Sequence, residues 1–187
     1  EGVCADCVDY DKGLRRGAKR ARRQGSGDLP DAIAAGMVST PLGDIALGAT
    51  PAGLVRVVWD NHADAPRLDA VRRSRRGSRS AREHVAAGKE AVADYFAGRP
   101  LRDCAIDYVL LPDPDTLEAV RAIPRAQQAS YDKLPTPGSA LLRGEALGNN
   151  PLALLVPCHR VTRGNELPDE YVGGPDRRRS LIELEQG

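Results

Sequence analysis

A cysteine, a histidine and an arginine stand side by side near the end of the chain, at Cys158, His159 and Arg160. The thiolate is the reactive form of a cysteine, and a thiol becomes a thiolate when a base or a positive charge lies nearby. His159 can accept the thiol proton, and Arg160 supplies positive charge. The triplet therefore predicts a nucleophilic cysteine, although most free cysteines in proteins only fill space in the core.

The residues before this triplet indicate how Cys158 is positioned. Asn150 and Pro151 are followed by the apolar run 152–156 and by Pro157. A short apolar run between prolines is typical of a buried strand or of the wall of a pocket. Cys158 follows directly, where a chain that leaves the core can present its side chain to a ligand.

The continuous pattern from Asn150 through Pro157-Cys158-His159-Arg160-Val161 resembles the active-site signature of the O6-alkylguanine-DNA alkyltransferases, also called methylated-DNA–protein-cysteine methyltransferases. The resemblance implies a single-use repair protein that moves an alkyl group from O6 of guanine in DNA to Cys158, without a metal or organic cofactor. It also implies that the sulfur lies open at the floor of a cleft that fits a purine. A sulfur closed off from solvent would contradict this hypothesis.

The same resemblance assigns roles to further residues. His159 takes the thiol proton through a water molecule, and Glu185, rather than its neighbour Glu183, orients the imidazole. Tyr131 donates a hydrogen bond to the leaving base, and Asn150 is a hinge before the active-site segment. The walls of the base pocket are expected at Val161, Tyr171, Val172 and Gly173.

The implied partner is double-stranded DNA, because a protein thiol reaches an alkylated base only after the nucleotide rotates out of the stack. In the family a recognition helix lies in the minor groove, and an arginine on it fills the gap. This chain has Leu141 at that position, and Arg143 faces another direction. A leucine can wedge a base step but cannot hydrogen-bond the orphaned base. The DNA-contacting residues are expected to be Ser130, Leu141, Arg143 and Arg160.

These departures predict that thiol chemistry survives while base flipping or DNA affinity is weakened. The stretch between Tyr131 and Gly138 is also shorter than in the family. A free alkylated base should then be dealkylated more normally than a duplex. Equal loss of rate on both substrates would contradict this expectation.

The pattern of elements predicts an α/β N-terminal domain, a small antiparallel sheet with helices that is RNase H-like, followed by a mainly helical, winged helix-turn-helix-like C-terminal domain. The expected domains are a leader at 1–35, then 36–111 and 112–187. The runs 38–48 and 53–59 favour a hairpin, and 101–111 favours a third strand. Helices are expected at 83–98, 116–123, 138–147 and 177–185, with a short one from Ser130.

Residues 1–35 differ from the rest, with a cationic run and the flexible linker pattern Gly25-Ser26-Gly27. They are expected to be a disordered basic leader. Cys4 and Cys7 have half the ligands of a tetrahedral zinc site, which makes them weak zinc candidates. No apolar stretch is long enough to cross a bilayer, and the scattered cysteines favour a reducing compartment. We expect a monomer in the bacterial cytoplasm.

Three other functions remain open from the sequence. One is a catalytically weakened, alkyltransferase-like protein that binds lesions; such proteins usually have tryptophan in place of the nucleophile, whereas Cys158 is present. A Cys-His hydrolase would need an oxyanion hole and a distant histidine, but His159 is adjacent to the cysteine. A zinc or thiol sensor would depend on Cys4 and Cys7.

Overall fold

The computed structural model describes residues 4–25, 28–30, 33–168 and 170–187; Ser26 and Gly27 of the expected linker lie outside them. The first half contains a three-stranded antiparallel sheet in the order β1-β2-β3. Two helices pack on this sheet. The second of them begins after the N-cap residue Ser78, whose side chain accepts a hydrogen bond from the Ala81 amide. The strands are Ala34–Thr40, Gly43–Ala49 and Leu54–Trp59, and the helices are α2 (Asp64–Ser74) and α3 (Arg79–Phe96).

The second half is mainly helical, as expected. Its helices are α4 (Pro114–Arg121), α5 (Ala140–Gly148) and α6 (Pro175–Gln186). A proline at the start of α4 and of α6 fits the first turn of a helix, where no backbone donor is needed. Two very short parallel strands, β4 (Ala129–Ser130) and β5 (Val161–Thr162), pair beside the site. A 3-10 turn at Tyr131–Lys133 stands where a short helix was expected.

The strand expected over 101–111 does not form, and the run 152–156, expected to be a strand or a pocket wall, is not a regular strand. Over 101–111 the backbone makes only an isolated bridge between Ile106 and Leu54, then a 3-10 turn. The apolar run 152–156 is buried but bends, because Leu154 has a left-handed backbone with φ 70°. Its first residues attach to the free edge of β3: the Val57 amide donates to the Pro151 carbonyl at 2.8 Å, and the Ala153 amide donates to the Val57 carbonyl at 2.7 Å.

The expectation of disorder over 1–35 is wrong for Ala5–Gln24, which form helix α1. One face of α1 is buried, and it carries Tyr10, Leu14, Ala18 and Ala21. This face packs along α5, so the helix gains apolar burial that an isolated charged segment would lack. Among the helices of the described residues, none combines the length and the apolar character that crossing a bilayer requires.

Candidate active site

Cys158 begins a 3-10 turn, Cys158–Arg160, directly after the bent apolar run. The buried side chain of Asn150 holds this turn. Its Nδ2 donates to the Val156 carbonyl at 2.8 Å and to Cys158 Sγ at 3.1 Å, and its Oδ1 accepts from the Leu152 amide at 2.9 Å. Asn150 therefore links the end of α5 to the sulfur, which is the position expected of a hinge.

His159 and Glu185 also lie together. His159 Nε2 is 2.8 Å from Glu185 Oε1, and both side chains are buried. The carboxylate fixes the imidazole tautomer, since a hydrogen bond between these atoms requires the proton on Nε2. His159 Nδ1 is buried and has no hydrogen-bond partner among the described residues, so it is available as a proton acceptor.

Charge around Glu185 keeps the carboxyl group ionised. Arg160 donates to both of its oxygens, with Nη2 2.8 Å from Oε1, and the Tyr95 hydroxyl donates to Oε1 at 2.7 Å. Burial alone would raise the pKa of Glu185, but the hydrogen bonds from His159, Arg160 and Tyr95 outweigh it and lower that pKa. Burial lowers the pKa of His159, which is therefore a neutral base.

The sulfur itself is closed off from solvent, which contradicts the open cleft expected from the sequence. Cys158 is only 6% exposed. Burial raises the pKa of Cys158 to about 11, although the hydrogen bond from Asn150 and the charge of Arg178 oppose the rise. In this conformation the residue is a thiol at neutral pH.

Residues of α1 contact Tyr131, the residue expected to serve the leaving base. Tyr10 is buried and stacks on Tyr131, with ring centroids 4.1 Å apart and planes 7° apart. The Tyr131 hydroxyl, expected to serve the leaving base, instead donates to Cys7 Sγ at 3.8 Å.

Of the expected pocket residues, Tyr171 lies against the histidine. Val161, Tyr171 and Val172 are buried, and the Tyr171 ring meets the His159 ring edge to face at 6.3 Å. Trp59 Nε1 donates to the Tyr171 hydroxyl at 3.3 Å. A Cβ at Gly173 would lie 2.6 Å from the Trp59 indole, so only glycine allows this close approach.

The residues expected to contact DNA do not share one exposed surface. Arg160 is buried, and each guanidinium nitrogen is engaged by Glu185 or by the Ile123 carbonyl, so the DNA contact expected of Arg160 is wrong for this conformation. Ser130 is buried and accepts from the Gly164 amide at 2.9 Å. Arg143 donates to the Tyr131 and Gly138 carbonyls. The Leu141 backbone lies against α1.

Three residues of the site were missed as functional candidates. Tyr95 lies in the segment 83–98, which was predicted to be a helix and was given no role in the site, and its distance to the carboxylate depends on the tertiary fold. Trp59 likewise comes from β3. Arg178 on α6 donates to the Val161, His159 and Pro168 carbonyls and brings positive charge near the sulfur. The only local signal for Arg178 is an arginine run, which ordinarily faces solvent.

Cys4 and Cys7 stand at the start of α1, where Cys4 Sγ is 2.8 Å from Cys7 Sγ and both are free thiols. Within the described ranges, no group of three or more histidine, cysteine, aspartate or glutamate side chains has the arrangement of a metal site. The pair therefore provides two of the four ligands that a structural zinc ion needs.

Comparisons with known proteins point in the same direction as this geometry. A family model described as 6-O-methylguanine DNA methyltransferase, DNA binding domain, matches residues 114–187. A methylated-DNA–protein-cysteine methyltransferase of Mycobacterium tuberculosis is 41% identical over 73 residues, which are 37% of this chain and 44% of the relative. One of Salmonella typhimurium is 29% identical over 158 residues, 79% of this chain and 92% of the relative. The chain thus spans less than half of the mycobacterial relative.

Solved structures extend the likeness beyond the C-terminal half. The crystal structure of Mycobacterium tuberculosis OGT in complex with DNA has a TM-score of 0.62 and 25% identity, covering 81% of this chain and 92% of that chain. That of Mycobacterium tuberculosis O6-methylguanine methyltransferase has a TM-score of 0.59 and 26% identity, covering 82% and 93%. The chain is thus similar to O6-methylguanine-DNA methyltransferases over residues 114–187 and in its fold.

Proposed function

We propose that this protein transfers an alkyl group, methyl in the simplest case, from O6 of guanine in double-stranded DNA irreversibly to Cys158. The observation that carries the proposal is the pair of buried hydrogen-bonded contacts at Cys158 and at the adjacent His159. Asn150 donates to Cys158 Sγ, and Glu185 fixes the imidazole of the adjacent His159. The relatives that share this part of the chain are named methylated-DNA–protein-cysteine methyltransferases.

The reaction is a single displacement. An electron pair of the sulfur forms a bond to the alkyl carbon, and the bond between that carbon and O6 breaks with its electrons moving onto guanine. The thiol proton passes through a water molecule to His159 Nδ1, which has no other partner among the described residues. Guanine takes up a proton as it leaves, so charge is balanced, and the thioether stays on the protein. The step needs neither a metal nor an organic cofactor.

The environment of the sulfur explains why a base is required. With a pKa near 11, Cys158 has little thiolate at neutral pH until its proton is removed. The neutral His159, held by an ionised Glu185, is suited to this role. Tyr131 would donate to the departing base once its hydroxyl is released from Cys7.

Double-stranded DNA with O6-alkylguanine is the proposed partner, and the proposed working form is a monomer in the bacterial cytoplasm. The match of residues 114–187 to a DNA-binding domain supports the DNA partner. Ser130, Leu141 and Arg143 remain the proposed DNA contacts, on or beside α5, whereas Arg160 is proposed to hold Glu185. The pocket for the base is proposed to lie between Tyr131, Val161 and the segment 171–173.

Intact-mass spectrometry tests the function directly. The full chain is mixed with a duplex oligonucleotide that contains one O6-methylguanine, and the expected product is the protein plus one methyl group. Cys158→Ala should gain no mass. The control Cys104→Ala, which removes the other buried thiol among the described residues, should still gain one methyl. Absence of any methylated protein, also in a Tyr10→Ala variant with an opened pocket, would refute the proposal.

A further inference from the structure

Helix α1 lies against α5 so closely that the two backbones touch. A Cβ at Gly13 would lie 2.1 Å from the Leu141 carbonyl oxygen, and one at Gly17 would lie 2.3 Å from the Glu145 carbonyl oxygen. Such distances are shorter than any van der Waals contact, so neither position accepts a larger residue while the helices are in contact.

The same relation holds from the other side. A Cβ at Gly144 would lie 2.2 Å from the Tyr10 carbonyl oxygen, and one at Gly148 would lie 2.3 Å from the Leu14 carbonyl oxygen. Each helix therefore offers two glycines one turn apart, and the pairs face each other. This matched spacing on two distant segments is a specific fit between α1 and the helix that carries Leu141.

Tyr10 extends this contact to the proposed base pocket. Its ring lies flat on Tyr131, which the proposed reaction brings to the leaving base. Because the Tyr10 ring is buried and covers that face of Tyr131, a guanine cannot lie against the same face at the same time.

Polar contacts along α1 add to this fit. Asp11 pairs with Arg163 at 2.5 Å, and Arg22 lies 3.6 Å from Glu170. The Ala63 amide donates to the Ala21 carbonyl at 3.0 Å. The helix is thus attached along its length to both halves of the chain.

We propose that α1 is an intramolecular competitor of the DNA substrate, which covers the α5 surface and places Tyr10 where the extruded base must go. The inference rests on the proposed function for the identity of the competitor. The alkyl-acceptor site is closed in this conformation, and it opens when α1 leaves α5.

The outward face of α1 gives the duplex a means of approach. Its basic side chains are exposed, whereas its glycines and Tyr10 face α5. Phosphates of an approaching duplex are attracted to such a face before they reach α5, and salt weakens this attraction. The basic residues are Lys12, Arg15, Arg16, Lys19, Arg20, Arg22 and Arg23.

Gly13→Ala in the full chain is the decisive variant. Alanine forms helix better than glycine does, so α1 itself is not weakened, but its methyl group meets the Leu141 carbonyl and displaces α1 from α5. Val8→Ala is the matched control, since Val8 is an exposed apolar residue of the same helix. Tyr10→Ala opens the pocket by a second route, and circular dichroism verifies the fold of each variant.

The first readout is labelling of Cys158 by iodoacetamide in the folded protein, followed by mass spectrometry of its peptide. Cys158 should be labelled at least about tenfold faster in Gly13→Ala and in Tyr10→Ala, because the labelling rate is proportional to the population of open molecules and we expect that population to rise about tenfold. Val8→Ala should label like the parent chain. Affinity for an unmodified duplex should rise in Gly13→Ala and not in Val8→Ala.

Unchanged labelling and unchanged duplex affinity in a folded Gly13→Ala would overturn the inference. Methyl transfer is the separate readout for the reaction. If labelling and duplex affinity rise but no variant gains a methyl group from O6-methylguanine DNA, the competition between α1 and DNA is upheld and the proposed function fails.

Discussion

Asn150→Ala should clearly destabilise the protein. The side chain is fully buried and makes three hydrogen bonds within the turn that carries the nucleophile. Alanine leaves the Leu152 amide without an acceptor. The Val156 carbonyl keeps one partner, because it also accepts from the Cys158 amide at 2.8 Å.

The magnitude follows from these contacts. An unsatisfied buried amide costs about 1–3 kcal/mol, and loss of the bond to the Val156 carbonyl adds about 1 kcal/mol. The expected loss in the free energy of unfolding is therefore about 3 kcal/mol, which lowers Tm by roughly 6–12 °C for a chain of this size. Urea denaturation followed by circular dichroism measures the first quantity, and calorimetry measures the second.

A second effect of the same substitution concerns the thiol. The hydrogen bond from Asn150 opposes the rise in the pKa of Cys158, so its removal should raise that pKa further and slow iodoacetamide labelling at fixed pH. Asn165→Ala is the control, because Asn165 is exposed and its truncation should change stability by less than about 0.5 kcal/mol. A loss below about 1 kcal/mol for Asn150→Ala would refute the assignment of these bonds as structural.

Three further outcomes are expected. Tyr95→Phe removes the hydroxyl that bonds Glu185 and should raise the pKa of that carboxyl group; the rate of methyl transfer should fall about tenfold, and an unshifted acid limb in the pH–rate profile would contradict this. Burial lowers the pKa of His62 to about 4 in the folded protein. As the pH falls, His62 is therefore protonated first in the unfolded chain, and stability that is present above pH 6.5 is lost between about pH 6.5 and 4. Denaturation curves of His62→Gln should lose that part of the pH dependence, and an unchanged slope would count against it. Leu141→Arg, made in the Gly13→Ala background, should speed transfer from a duplex but not from a free O6-alkylguanine base. Equal rates on the duplex before and after the substitution would contradict the prediction that Leu141 weakens base flipping.

The chemistry of the site followed from the sequence further than its accessibility did. Asn150 contacts Cys158, and His159 contacts Glu185, and these four residues come from one continuous motif and the last helix; their roles in the reaction stay predictions. The sequence did not predict the bend at Leu154, because leucine rarely adopts a positive φ and nothing nearby signals a turn. The predicted fold class was confirmed. It could be predicted because helices and strands show themselves as regular spacing of apolar residues within short segments.

The contact between α1 and α5 lies beyond such local information. Gly13 and Gly17 are scattered within a charged run, which favours disorder when the run is considered alone. Their role in helix packing is recognisable only in the structure, where they face Gly144 and Gly148, which have the same spacing far along the chain. The closed sulfur and the displaced role of Arg160 likewise depend on contacts between distant segments, so the expectation of an open cleft was wrong for this conformation. The difference between free base and duplex predicted from Leu141 should then emerge only after α1 is released, because Tyr10 obstructs both substrates.

The attachment of the bent apolar run to β3 has a consequence for dissecting the molecule. The Val57 amide donates to the Pro151 carbonyl, and the Val57 carbonyl accepts from the Ala153 amide. The three-stranded sheet thus supports the segment that leads to Cys158. A fragment that contains only residues 114–187 would lack this sheet, together with Tyr95 and Trp59. The Pro151 carbonyl and the Ala153 amide would then lose their hydrogen-bond partners on β3. The geometry around the sulfur therefore depends on both halves of the chain, and residues 114–187 alone would not reproduce it.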